Sequence, residues 1–138
     1  TMLILLVNGF EESPRGEHEY AIFLQLLQNI LQELEVRDYS ILERRINRLG
    51  DIVVDWEFDS LNEQSRKNCR HFDKIDMVFI SGDMRICPWD PLASQVVTLI
   101  NMCKHMKKAT FCSGFGAFSA IYTFATKGAR FHILNGPD

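Results

Sequence analysis

The sequence lacks several features that define specialised classes of protein. It has no apolar stretch near the ~20 residues that a membrane-spanning helix needs, since the opening run at residues 2–7 is short. That run also has no basic leader and no small-residue cleavage site, so it does not predict a signal peptide. An excess of positive charge is absent as well, because 15 Lys and Arg are outnumbered by 18 Asp and Glu. We therefore expect a cytoplasmic protein that binds neither membrane nor nucleic acid.

The cysteines are widely and unevenly spaced along the chain. The four cysteines form no CxxC pair, which makes a zinc site a poor interpretation. Without a secretory signal they do not predict a disulfide framework either. The sequence also contains neither a Walker A motif nor a GxGxxG phosphate loop. We accordingly expect reduced thiols, no metal and no cofactor.

The composition itself is that of an ordinary globular domain. Apolar residues make up 46% of the 138 residues and charged residues 24%, which argues against disorder. A chain of this length corresponds to one domain, which we place at residues 1–138.

Unbroken apolar runs predict strands that are buried on both faces. We place such strands at residues 2–7, 76–81, 109–112 and 130–134, and a weaker one at 36–41. Amphipathic helical segments separate most of them, and the polar segment 62–72 is expected to form a surface helix. In the less regular middle, 42–49 has the spacing of a short helix and 52–58 reads as extended. This order predicts a doubly wound α/β fold, a parallel sheet with helices on both faces.

The segment from Thr110 to Gly116 is the most informative for chemistry. Cys112 lies between a short strand and a helix that begins with small residues, which is the arrangement of a nucleophile elbow. A helix N-terminus there would favour the reactive thiolate. The alternative is a buried and inert cysteine, which is the common state of a free cysteine.

Two segments carry a resemblance to a known family. Residues 79–82 (Phe-Ile-Ser-Gly) and 111–114 (Phe-Cys-Ser-Gly) are similar to motifs of the class I glutamine amidotransferase-like superfamily, which includes the ThiJ/PfpI proteins. The resemblance covers most of the chain and implies a flavodoxin-like sheet with Cys112 as nucleophile. It also implies an oxyanion hole made by backbone N–H groups at Gly82, Asp83 and Ser113.

Two further matches point to the ThiJ/PfpI branch. Residues 9–12 (Gly-Phe-Glu-Glu) resemble the branch's glutamate-bearing loop, which implies that Glu12, or else Glu11, contacts the cysteine. Some members place a histidine partner where His132 lies, so the resemblance implies that His132 orients or deprotonates the thiol. The alternatives are a solvated acidic loop and a histidine packed at a strand end.

The sequence also departs from the family pattern. Thr110 replaces the glycine that amidotransferases have two residues before the cysteine, and Phe115 and Gly116 occupy the stretch where they have a glutamine. We also expect the chain to end before the family's last helices, so that either a partner or further sequence completes the fold or the domain is degenerate. We expect a catalytically silent domain that is a structural or interaction module, with a protein partner or as a homo-oligomer. The alternative is a cysteine hydrolase or amidotransferase-type enzyme that uses Cys112.

Overall fold

The computed structural model describes residues 1–54 and 62–125, and for residues 124 and 125 it describes the backbone only. The elements are, in chain order, β1 (Met2–Gly9), α1 (Pro14–Glu33), β2 (Tyr39–Arg45), α2 (Glu63–Asp73), β3 (Met77–Gly82), a 3₁₀ turn (Pro91–Ala93), α3 (Ser94–Met106), β4 (Ala109–Cys112) and α4 (Phe115–Ala125). None of the helices in this part of the chain combines the length and the apolar character that crossing a membrane requires.

The four strands form one sheet in the order β2-β1-β3-β4, and all its strand pairs are parallel. The chain begins at the central strand β1, adds β2 on one side, and then adds β3 and β4 on the other side. The direction in which strands are added therefore reverses between β1 and β3. The predicted doubly wound, flavodoxin-like α/β fold is confirmed. The strand predicted at 130–134 lies outside the described residues.

Alternate residues of the central strands face opposite sides of the sheet, as the period of two requires. On one side, Ile4, Leu6 and Phe79 pack against the buried face of α1. On the other side, Leu5, Val7, Val78 and Ile80 pack against side chains from α2 and α3. Helices therefore cover both faces, which explains why residues 2–7 of β1 and 77–80 of β3 are apolar at every position.

The predicted boundaries of the second strand were wrong. The structure starts β2 at Tyr39 and continues it to Arg45, so the helix expected over 42–49 does not form. The physical reason is the ladder to β1, in which Leu42 lies opposite Leu5 and Arg44 opposite Val7. Residue pairing along seven positions outweighs a helical spacing that is only two turns long.

The predicted surface helix exists as α2, but it is less exposed than expected. Asn62 caps its N-terminus by accepting hydrogen bonds from the backbone N–H groups of residues 64 and 65. Phe72 is buried in the core, and Asn68 is buried beneath the preceding loop. The Asn68 amide donates to the carbonyl oxygens of Gly50 (3.1 Å) and Val53 (2.7 Å), which fixes that loop on the helix.

Candidate functional site at the carboxyl edge of the sheet

Three glycines allow the ends of β1, β3 and β4 to meet at one edge. A Cβ atom built on Gly82 would lie 2.7 Å from the Cα of Gly9, so neither strand end tolerates a side chain at this contact. Gly114 has a φ of +53°, and a Cβ atom there would lie 2.8 Å from the carbonyl oxygen of Gly82. The turn after β4 therefore folds closely onto the end of β3, as sites in parallel sheets require.

Cys112 is the last residue of β4, and its backbone belongs to the strand. It is paired with Ile80 in the parallel ladder, and the left-handed residue of the turn is Gly114, two positions later. A nucleophile elbow instead places the nucleophile itself on a sharp, strained turn. In this structure the thiol is therefore held by strand geometry.

The side chain of Cys112 packs beside the apolar core between the sheet and α3. It lines a cavity of about 350 Å³ together with Ile100, Cys103, Lys104, Lys108, Thr110 and Ala120. Burial raises the pKa of the Cys112 thiol to about 11. This direction is opposite to the lowered pKa that a helix N-terminus was expected to produce, because loss of hydration opposes the thiolate.

The backbone N–H groups expected to form an oxyanion hole are already hydrogen-bonded in part. Ser113 donates its N–H to the carbonyl oxygen of Ile80 (3.0 Å), and Asp83 donates its N–H to that of Gly9 (3.1 Å). Gly82 lies within the ladder between β1 and β3. In this structure the N–H groups of Ser113 and Asp83 therefore hold the strand ends together.

The predicted glutamates lie at the carboxyl edge, in a different cavity from Cys112. An open cleft of about 460 Å³ is lined by residues at the ends of β1, β2 and β3 and in the loops that follow them, among them Glu11, Glu12, Arg45, Asp83 and Arg85. The structure brings Glu11, Glu12 and Asp83 together, and it places Cys112 in the cavity beside α3. His132 lies outside the described residues.

Two arginines organise this cleft. Arg45 Nε pairs with Glu12 Oε1 at 3.2 Å, and its guanidinium also donates to the carbonyl oxygen of Phe10. Arg85 Nη2 lies 2.6 Å from Asp83 Oδ2 and 3.6 Å from Glu11 Oε2. Hydrogen bonds from Arg85 lower the pKa of Asp83 to about 2. Both glutamates are thus engaged by cations at the exposed edge.

Neither arginine was predicted as a site residue from the sequence. Arg45 belongs to a small basic cluster with Arg44 and Arg48, and a cluster of this size more often predicts a solvated helix face. Had β2 been extended to residue 45, the rule that parallel strands end at one edge would have placed Arg45 in the cleft. Arg85 follows β3 by three residues and could have been found by the same rule.

Comparisons with known proteins identify no relative of this chain. Protein-family models, curated proteins and solved structures yield no match to the chain. Within residues 1–54 and 62–125, no three His, Cys, Asp or Glu side chains are grouped so that they could hold a metal ion. The candidate site is therefore defined by its own residues, an arginine–carboxylate cleft at the point where the strand order reverses.

Proposed function

We propose that this chain is an amidotransferase-like domain that acts as an interaction module and does not use Cys112 as a catalytic nucleophile. The observation that carries the proposal is the position of the thiol. Cys112 pairs with Ile80 and lines the cavity beside α3, whereas the glutamates of the expected site line the cleft at the carboxyl edge.

The ionisation of Cys112 supports the same conclusion. The thiolate is the reactive form of cysteine, and an unperturbed cysteine is a few per cent thiolate at neutral pH. With a pKa of about 11, roughly one Cys112 side chain in 10⁴ is ionised at pH 7. Activation by Glu12 would require that carboxyl group to leave Arg45 and reach the thiol from another cavity.

We assign partner binding to the arginine–carboxylate cleft. Three carboxylates and two arginines line it, so its lining carries a small net negative charge. Each arginine is already close to a carboxylate, which disfavours a multiply charged anion such as a phosphate ester. Paired charges at an open surface suit a polar partner surface that carries both signs, where they contribute specificity more than affinity.

One observation favours the alternative enzyme. The cavity that contains Cys112 is also lined by Lys104 and Lys108, and nearby cations promote thiolate formation. In that case Cys112 would be the nucleophile, with Glu12 and His132 in the roles that the family resemblance implies.

Site-resolved alkylation of the folded chain tests the proposal. Iodoacetamide labelling at pH 7.5, followed by peptide mass spectrometry, is expected to modify Cys112 at least ten times more slowly than a small-molecule thiol such as N-acetylcysteine. The Cys112→Ser variant identifies the labelled peptide, and labelling in urea confirms that the site is reactive once exposed. Labelling of folded Cys112 faster than the free thiol would contradict the proposal and support the enzyme.

A further inference from the structure

β2 lies at the rim of the sheet, and half of its backbone groups point away from the other strands. The ladder to β1 is bracketed by two hydrogen bonds, from Met2 N–H to the carbonyl oxygen of Asp38 (3.0 Å) and from Ile46 N–H to that of Asn8 (3.1 Å). Because the backbone groups of successive residues point to opposite sides of a strand, the even-numbered residues of β2 bond to β1. The odd-numbered residues, 39 to 45, therefore turn their N–H and C=O groups outward.

Part of this rim is closed within the chain. The carbonyl oxygen of Arg45 accepts from the N–H of Arg48 (3.0 Å), which begins the turn after the strand, and that of Glu43 accepts from the side chain of the next residue (3.0 Å). Within the described residues, the outward N–H and C=O groups of Tyr39 and Ile41 have no partner. The open edge thus runs from Tyr39 to Glu43, and Ile41 is its centre.

The open edge has little of the protection that edge strands usually carry. Proline, β-bulges and charged side chains are the common protective devices. Residues 39–43 (Tyr-Ser-Ile-Leu-Glu) contain no proline, pair with β1 without a bulge, and have their single charge at one end. Ile41 and Leu42, on opposite faces of the sheet, are only partly buried. An edge of this kind favours pairing with another strand.

The open edge is complementary to an antiparallel copy of itself. Residues that exchange two hydrogen bonds across antiparallel strands must both point toward the other strand, which restricts such pairs to the odd-numbered residues. With Ile41 opposite Ile41, a pair of Tyr39 and Glu43 lies on each side of it. Every outward N–H group of the open edge then meets a carbonyl oxygen, whereas any other register shortens the ladder.

The side chains agree with this register. On the α1 face, Tyr39 and Ile41 pack at the margin of the apolar cluster, and Glu43 accepts from a hydroxyl group of α1. In the paired copies, Ile41 meets Ile41, and the Tyr39 hydroxyl comes opposite a Glu43 carboxylate that has lone pairs left for a second donor. On the other face, Leu42 meets the small side chain of Ser40. No like charges face each other along this ladder.

We propose that the chain forms a two-fold symmetric dimer in which β2 pairs with β2 of a second copy, from Tyr39 to Glu43. The two four-stranded sheets then become one continuous sheet. The axis is perpendicular to the sheet, so α1 lies on the same face in both copies. The contact is isologous, so each hydrogen-bonded pair away from the axis occurs twice.

The helices leave room for this pairing. The buried face of α1 packs on Ile4 and Leu6 of β1, and side chains of α2 and α3 cover Leu5 and Val7 from the other side. The two copies of β1 would lie three strand spacings apart, which is about 14 Å. This separation exceeds the roughly 8–10 Å between the axes of packed helices, so neither helical layer collides with its copy.

The open edge lies away from the points at which the described segments end. Val54 donates its N–H to the sulfur of Met102 in α3 (3.3 Å), and Asn62 caps α2, so both residues belong to the helical layer. At the other end of the chain, α4 packs on β3 and β4. β4 is the opposite rim of the sheet, with β3 and β1 between it and β2. The proposed contact is therefore built from described residues alone.

The dimer goes beyond the cleft function proposed above and uses different residues. Its ladder ends at Glu43, whereas the residue that β2 contributes to the cleft is Arg45. Loss of the dimer would leave the chemistry of Cys112 unchanged. A reactive Cys112 would in turn leave the dimer unchanged, so the two proposals fail separately.

Amide exchange followed by NMR tests the pairing on the unmodified chain. In the dimer the N–H groups of residues 39, 41 and 43 are hydrogen-bonded, so their exchange should slow about threefold between roughly 20 and 500 μM, as mass action gives for a dissociation constant near 50 μM. The N–H groups of Ser40 and Leu42 bond to β1 in either state and are the internal control. Sedimentation velocity over the same range is expected to show a dimer.

Cysteine cross-linking tests the register. Residue 41 would face itself at a Cα separation of about 5.5 Å, which is within the range of a disulfide. Ile41→Cys should therefore give a covalent dimer in oxidised glutathione, above the background of the wild type. Tyr39→Cys is the matched control, because the two copies of position 39 would lie about 13 Å apart along the strands. It should cross-link only in combination with Glu43→Cys.

Circular dichroism melting confirms that the variants are folded. A wild type that stays monomeric at about 500 μM would overturn the proposal and leave the open edge to an extended segment of another protein. A dimer in which the odd-numbered amides of β2 exchange at a rate independent of concentration would place the contact elsewhere and overturn it as well. Equal cross-linking of Ile41→Cys and Tyr39→Cys would contradict the register.

Discussion

Cys112 lies opposite Ile80 in the parallel register of β4 and β3, and both side chains belong to the core between the sheet and α3. The neighbouring residue Phe111 faces the α1 side, where it stacks on Phe79. The alternation of a strand therefore decides the environment of the thiol. A cysteine one position later would begin the turn at the carboxyl edge, beside Ser81 and the glycines.

The buried thiol predicts a loss of stability at alkaline pH. The pKa of Cys112 rises from 9.0 in an exposed thiol to about 11 in the fold, so its contribution is complete below pH 9. Between pH 9 and 11 the unfolded chain loses the proton that the folded chain retains, and the free energy of unfolding falls. Since Cys112 is only partly buried, we expect this fall to be about 1–2 kcal/mol.

Urea denaturation at pH 8, 9, 10 and 11 measures this contribution. The Cys112→Ala variant should decline less steeply than the wild type over that range, and Cys103 accounts for part of the remaining decline because its pKa is also raised to about 11. Cys87→Ala, at a partly buried cysteine in the loop after β3, is the matched control. Parallel curves for the wild type and Cys112→Ala would contradict the prediction.

The central strands could be predicted from the sequence for a simple physical reason. Burial on both faces makes residues 2–7 and 77–80 apolar without interruption, and these runs indicate the two central strands. β4 also has its predicted bounds, Ala109–Cys112, although its side chains are at most partly buried. β2 has one described neighbour, β1, and includes polar side chains at positions 43 to 45. Its sequence is less apolar than those of the central strands, so the helical spacing of residues 42–49 led to the wrong prediction of a helix.

The candidate site was predicted less completely than the fold. The family resemblance pointed to Glu11, Glu12 and Asp83. The structure places all three at the cleft, because loops that follow parallel strands share one edge. Which face Cys112 occupies depends on a single step of register, and a motif of four residues does not determine that step. The engagement of Glu12 by Arg45 depends on the end of β2, which sequence spacing placed incorrectly.

The contact between Arg85 and Asp83 predicts an unusually acidic carboxyl group in the cleft. Arg85 Nε donates to both carboxylate oxygens and Nη2 donates to Oδ2, and these hydrogen bonds lower the pKa of Asp83 to about 2. Arg85→Ala should therefore return the pKa of Asp83 toward its ordinary value of 3.8, as followed by carboxyl carbon NMR during an acid titration. Arg45→Ala removes the other cleft cation and should leave the Asp83 titration unchanged.

The same pair makes a small contribution to stability whose pH dependence has a definite sign. Because the folded pKa is depressed, the contribution is present above about pH 4 and is lost as the pH falls toward 2. The Arg85 side chain is 66% exposed and that of Asp83 is 19% exposed, so solvent screening keeps this contribution small. An unshifted Asp83 in the wild type would contradict the geometry of this cleft.

The buried amide of Asn68 predicts a larger effect on stability than its polar helix suggests. Asn68→Ala removes the buried donor for the carbonyl oxygens of Gly50 and Val53, and we expect it to cost about 1–3 kcal/mol because the loop loses both hydrogen bonds to α2. Gln64→Ala, at an exposed neighbour that donates to Asn68, should cost about 0.5 kcal/mol or less. Urea denaturation of the two variants measures the difference, and equal costs would contradict the role assigned to Asn68.

The start of α4 predicts a strongly destabilising glycine substitution. A Cβ atom on Gly116 would lie 2.2 Å from the carbonyl oxygen of Ile80, which is backbone and cannot rotate away. Gly116→Ala must therefore push α4 off β3, and we expect a loss of about 2–4 kcal/mol, the range in which strain and overpacking place such changes. Gly50→Ala is the matched control, since its Cβ atom would meet nothing within 4 Å and the loop should retain wild-type stability within about 0.5 kcal/mol. Thermal and urea unfolding of both variants measure the two losses. Because α4 packs on β3 through this contact, a Gly116→Ala variant as stable as Gly50→Ala would mean that the turn from Cys112 to α4 is not held against the sheet.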